Sequence, residues 1–265
     1  MKVQELVDYL HTIAPNHFQE PYDNSGLLVG NSNDSISGVL VSLDVTEEIL
    51  DEAIEIGANV IVSHHPIIFS GLKRLTNSNY IQRIVQKAIK NDINLFAIHT
   101  NLDNVYENGV NTYIANRLGL INVEILKPKP ELSHLDKPIG AGIIGYLESG
   151  QDEMAFLTHL KAKMGVNCIK YTQLSNKPIK KVAVCGGSGR FLLNDAILQE
   201  ADIFITSDFK YHEFFDADNQ IVIADIGHFE SEQYTIQLRH EILTNKFNNF
   251  AAYYTKVNTN PVNYF

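Results

Sequence analysis

The residues in this chain best suited to chemistry gather where apolar runs stop. Val60-Ile61-Val62-Ser63 leads into His64-His65-Pro66, so a β-branched strand ends in two imidazoles and a proline forbids its continuation. In an open parallel sheet, ligands bind in the crevice outside the carboxyl ends of the strands. Neighbouring residues on an extended strand point to opposite faces. One ion therefore takes both histidines only if the backbone turns there; otherwise each serves a different metal. Three further strand-like runs end in the same way. His99 and Asp103 follow residues 93–98, Asp208 and His212 follow residues 201–206, and His228 follows the run that closes on Asp225. Independent scatter of 10 histidines would rarely place so many at strand ends.

His228 and Glu232 stand at i and i+4 inside a predicted helix, where side chains share one face. Alone, such a pair reads as a helix-surface contact worth little. Beside the histidine pair and Asp103 it becomes the second half of a ligand set: His64, His65, Asp103, His228 and Glu232. That is more than a tetrahedral catalytic ion takes from its protein, and it suits two divalent ions sharing a bridging carboxylate and a water. Imidazole and carboxylate without thiolate favour Zn, Fe, Mn or Ni. Paired ions acidify a shared water and clamp an oxyanion, which is hydrolytic chemistry. The zinc-protease HExxH signature is absent, because position 216, four after His212, is Asp216. His99 and His212 are candidates for moving protons or orienting the ligands, and each also fits as a satisfied structural histidine. Gly186-Gly187-Ser188-Gly189 matches neither the dinucleotide nor the P-loop pattern. A tight turn is the simpler reading, with phosphate cradling by backbone N–H groups as the alternative.

These residues need elements to carry them. Val3, Leu6, Val7 and Leu10 predict an amphipathic helix ending near Pro15; acids interrupt the run, so it is not a signal peptide. Tyr22-Asp23-Asn24-Ser25-Gly26 is turn chemistry, although a polar loop near a metal could position substrate. A strand at 39–44, a helix from Thr46 to a terminating Gly57, and the histidine strand form a β-α-β unit with short connections. Helices are predicted at 80–90, 111–118, 154–164 and 229–243, and strands at 140–147 and 168–171. Lys127-Pro128-Lys129-Pro130 reads as a linker, since alternate prolines favour extended backbone. The expected architecture is α/β: two domains, each a sheet flanked by helices, with the metal site in the cleft at the strand carboxyl ends. Residues 1–127 with 225–265 form the metal-site domain, and residues 128–224 the second.

Composition narrows the function classes. A net charge of −10 argues against coating a nucleic-acid backbone, yet allows a nucleotide as a small-molecule substrate held through metal. Cys168 and Cys185 are too few for a disulfide framework, which fits a reducing, cytoplasmic compartment. No stretch approaches the ~20 apolar residues that span a membrane.

With these residues assembled, the chain resembles the NIF-three-like dinuclear metal-centre family, also called GTP cyclohydrolase 1 type 2 homologues. The resemblance runs through Tyr22-Asp23-Asn24-Ser25-Gly26-Leu27, Ser63-His64-His65-Pro66 and His99-Thr100-Asn101-Leu102-Asp103. It continues through Cys185-Gly186-Gly187-Ser188-Gly189 and Gly227-His228-Phe229-Glu230-Ser231-Glu232. It implies a two-domain α/β protein whose metal ligands correspond to His64, His65, Asp103, His228 and Glu232. It also implies a ring-shaped homohexamer with the sites facing an internal cavity. The chain looks too short for the extra domain that some members carry, and it has Thr206-Ser207-Asp208 where members often have Thr-Gly-Asp or Thr-Gly-Glu. The functional expectation is a metal-dependent hydrolase acting on a nucleotide or related small molecule, GTP cyclohydrolase-like by resemblance. The alternative is a metal-binding assembly or regulatory interaction protein without catalysis.

Overall fold

Val3, Leu6, Val7 and Leu10 line one face of α1 (Val3–Ile13) and are all buried, as their three- and four-residue spacing requires. The computed structural model describes residues 1–132, 134–135 and 137–265. After α1 come β1 (Gly26–Val29), β2 (Gly38–Ser42), α2 (Glu47–Ile56), β3 (Val60–Ser63), α3 (Tyr80–Lys90) and β4 (Asn94–Ala97). A single turn, α4 (Thr100–Asp103), precedes α5 (Val110–Leu118), β5 (Ile121–Pro128), β6 (Gly140–Gln151), α6 (Glu153–Met164) and β7 (Lys170–Tyr171). The chain continues through β8 (Ile179–Ser188), α7 (Leu193–Leu198), β9 (Ile203–Ser207), β10 (Val222–Asp225), α8 (His228–Glu232), α9 (Thr235–Lys246) and β11 (Ala251–Tyr254). None of these helices is long and apolar enough to cross a membrane, among the described residues.

Two compact α/β units result: residues 1–102 with 234–261, and residues 103–233 with 262–265. The first holds a sheet of order β1-β4-β3-β2-β11, in which only β1 runs antiparallel to its neighbour. Its central strands are buried at every position, which is why they read as unbroken apolar runs. The β2-α2-β3 unit is punctuated as expected. The Thr46 hydroxyl accepts the Ile49 N–H at 3.3 Å, and Gly57 closes α2 with φ of 72°. Leu40, Ile49, Leu50, Ile61, Ile84 and Leu95 belong to this unit's core.

The second unit holds a sheet of order β5-β6-β8-β9-β10-β7. Here β8, β9 and β10 are parallel and the flanking pairs antiparallel. Its core includes Leu126, Ile144, Leu192, Phe204 and Ile223.

Three expectations are corrected. The proline-bearing segment is no linker: Lys127 and Pro128 pair with Ala141 and Gly140 as the end of β5. Pro128 is tolerated because β5 is an edge strand, where a missing N–H need cost no ladder bond. Domain limits shift accordingly, from 127/128 to 102/103 and from 224/225 to 233/234, because α5, β5 and β6 form one packed set with β8. Asp103, His228 and Glu232 therefore belong to the second unit, and His64 and His65 to the first. The single helix expected at 229–243 is also divided, into α8 and α9, with the unit limit falling between them.

Candidate metal centre

In the first unit, three adjacent parallel strands deliver the polar residues. Asp44 follows β2, His64 and His65 follow β3, and His99 follows β4. The chain does turn at the histidine pair. The Ser63 hydroxyl donates to the His65 carbonyl at 2.9 Å, and the His64 and His65 N–H groups both reach the Leu43 carbonyl, at 3.0 and 2.9 Å. The two rings consequently share one place, with centroids 5.0 Å apart, and His99 joins them at 5.2 and 5.4 Å. One potential ligand atom from each of the three lies within 4.8 Å of the others.

Each of these imidazoles is held by the same nitrogen. Nδ1 of His64 meets the Ile98 carbonyl at 3.0 Å, that of His65 meets Asp44 Oδ1 at 2.7 Å, and that of His99 meets Asp23 Oδ1 at 2.8 Å. A carbonyl or carboxylate oxygen only accepts, so Nδ1 carries a proton in each, and the neutral ring is then the Nδ1–H tautomer. That tautomer is the one a metal ligand needs. Asp23 is itself fixed by the Thr100 N–H at 3.0 Å, the Thr100 hydroxyl, and the Asn24 N–H at 2.7 Å. Burial pushes its carboxyl upward, but hydrogen bonding and charge from His99, then Thr100 and Asn24, outweigh this and hold it well below the usual carboxylate range.

The second unit repeats the device on β8, β9 and β10. Nδ1 of His228 meets Asp208 Oδ2 at 2.6 Å, while its Nε2 lies 3.2 Å from Glu232 Oε2 across one helical turn. Carboxylate oxygens of Asp103 and Glu232 come within 4.8 Å of each other. Gly187 makes room for the second of these. Its φ is +64°, and a Cβ there would sit 2.3 Å from Glu232 Oε1. Burial disfavours the charged imidazole of His228, yet the Glu232 charge and the Asp208 hydrogen bond push its pKa up to about 11, with Asp208 correspondingly lowered. Two carboxylates around one ring hold a proton tightly because the place has negative charge in excess. The donor types fit a divalent cation, and Gly187 leaves room for the Glu232 carboxylate among them.

The family model of Duf34/NIF3 (NGG1p interacting factor 3) matches residues 1–261. The chain belongs to this family. Among its relatives are a GTP cyclohydrolase 1 type 2 homolog of Clostridium perfringens, 36% identical with 88% of this chain and 87% of the relative covered, and one of Campylobacter jejuni, also 36% identical with 92% and 93% covered. A crystal structure of a Staphylococcus aureus protein superposes with a TM-score of 0.91 at 31% identity, covering 100% of this chain and 99% of that one. A Bacillus cereus protein related to NIF3 gives 0.90 at 27% identity with the same coverage.

In this NIF3 family member, three orienting carboxylates escaped the sequence reading of the ligands. Asp44 read as the last residue of a strand, Asp23 as turn chemistry, and Asp208 only as one more strand-end acid. The phosphate-cradle alternative is overturned. The N–H groups of Gly186, Gly187 and Gly189 are already donated to Asn111 Oδ1, Ser231 Oγ and Thr206 Oγ1, each at 2.9 Å. Nor is the glycine run a simple turn, since β8 continues through it with a register shift between Val184 and Ser188. Ser207, standing where members often have glycine, is a buried strand residue, and the positive φ of 63° falls on Asp208 instead. Aspartate tolerates that region better than most residues. His212 is not brought to the ligand candidates. It sits exposed on the 3-10 segment Tyr211–Ala217, beside Tyr211 and Phe215, and joins no metal-compatible group among the described residues.

Proposed function

We propose that this NIF3 family member is a metal-dependent hydrolase of a nucleotide or related small molecule, with His64, His65, Asp103, His228 and Glu232 holding two divalent ions. The observation that carries the reading is shared by the three imidazoles of this set, each with Nδ1 held by an oxygen, which leaves Nε2 as the nitrogen to offer an ion. Asp103 and Glu232 supply the negative charge such ions require. When bound, paired divalent ions acidify a shared water and stabilise an oxyanion. The chain's own contribution is orientation and proton handling. Asp44, Asp208 and the Ile98 carbonyl fix ring planes and tautomers. His99, held by the buried Asp23 and placed beside His64 and His65, takes or gives a proton at Nε2. Nucleotides are favoured as substrates by the GTP cyclohydrolase 1 type 2 homolog names of the relatives.

The test compares hydrolysis of a nucleotide panel by metal-loaded wild type, His64→Ala and His99→Ala. Turnover is expected to vanish with metal content in His64→Ala. In His99→Ala it should fall by about 10²–10⁴-fold at unchanged metal content. Full metal loading with no turnover of any nucleotide would instead favour the non-catalytic assembly reading.

A further inference from the structure

Away from the ligand candidates, the second unit carries a cavity of about 490 Å³ against β7 and the 3-10 segment that holds His212. Four aromatic rings line it: Tyr171, Tyr211, Phe214 and Phe215. Tyr211 and Phe215 are 75% and 67% exposed, a degree of exposure that a packing role does not explain. The rings are arranged relative to one another. Tyr211 meets Phe215 edge-on with centroids 5.7 Å apart, and the His212 ring backs Phe215 at an interplanar angle of 28°. His212, unused by the metal candidates, thus serves as support for this wall.

The polar part of the lining is equally selective. Gln173 and Asn219 bring exposed amides to the rim. Amides of this kind pair with the edges of nitrogen heterocycles. The cation at the rim, Lys170, is already committed to Asp225, 2.8 Å away and almost fully buried. A phosphate therefore finds no free charge on that side chain, whereas a flat ring finds π-faces to stack on and amides to hydrogen-bond. The volume lies within the range of small-molecule pockets. Asp225 also accepts the Gly227 and Phe209 N–H groups, both at 3.1 Å, so it ties the cavity wall to the turns that carry His228 and Asp208.

We propose that this cavity binds a planar nitrogen heterocycle of the nucleobase class. Its place in turnover rests on the nucleotide reading above, whereas its affinity for a bare nucleoside does not.

The test is calorimetric titration of guanosine and adenosine into the full chain, before and after chelation of metal. At least one nucleoside is expected to bind, with the same affinity in both states and in Asp103→Ala. Tyr211→Ala and Phe215→Ala should each weaken it about tenfold, the scale of a lost stacking platform, and Tyr211→Phe should retain it. Circular dichroism identical to wild type would confirm that the exposed substitutions leave the fold intact. Failure of both nucleosides to bind would overturn the proposal, as would affinity that disappears on chelation. So would a Tyr211→Ala variant whose sedimentation changes while nucleoside affinity does not, since a second copy of the chain would then be the occupant. Nucleoside binding without nucleotide turnover would leave this site standing and sink the hydrolase reading alone.

Discussion

The group that holds the His65 ring is Asp44. Its Oδ1 fixes the imidazole from 2.7 Å, and its Oδ2 is in turn held by the Thr259 hydroxyl at 2.6 Å. Removing such an orienting carboxylate costs about 10–100-fold in metal affinity. Asp44→Ala is accordingly expected to weaken zinc binding by that factor, measured by competition against a chelator, while the fold survives. Unchanged affinity would show that His65 is no ligand. The histidine pair was legible because an apolar strand stopped on it. The partners were not. Asp23 stands 76 residues from His99, and aspartate in a turn has reasons of its own to be there. No spacing in a sequence connects the two.

Among the elements, each unit has three adjacent parallel strands with candidate site residues near their ends, β2-β3-β4 in the first and β8-β9-β10 in the second. Those strands could be read directly, since burial on both faces leaves continuous apolar runs. The edge strands β11 and β5 escaped for the opposite reason. β11 is mostly exposed with no alternation, and β5 ends in a lysine-proline stretch that imitates a linker. The end of β8 carries a prediction of its own. Gly187→Ala places a methyl group 2.3 Å from Glu232 Oε1 at a φ of +64°. The backbone cost is about 1–2 kcal/mol, which should lower the melting temperature modestly. The larger effect is expected on metal uptake, because the carboxylate must leave its place. Full uptake with Glu232 displaced would remove Glu232 from the ligand set.

At the scale of the whole molecule, the acidic balance of −10 needs no nucleic-acid partner to explain it, and some of that charge surrounds His228. The sequence placed all five ligand candidates in one domain because Lys127-Pro128 looked like a boundary. The structure assigns His64 and His65 to one unit and Asp103, His228 and Glu232 to the other. Whether the five act as one set is thus the central claim. Metal content per chain tests it most directly, by elemental analysis of wild type and Asp103→Ala purified without added metal. The account predicts about two ions per chain in wild type, the number a paired-ion mechanism requires, falling sharply in the variant. A wild type near zero that takes up no Zn, Mn or Fe would contradict it, and so would a single ion per chain indifferent to Asp103→Ala, which would confine binding to the imidazoles of the first unit.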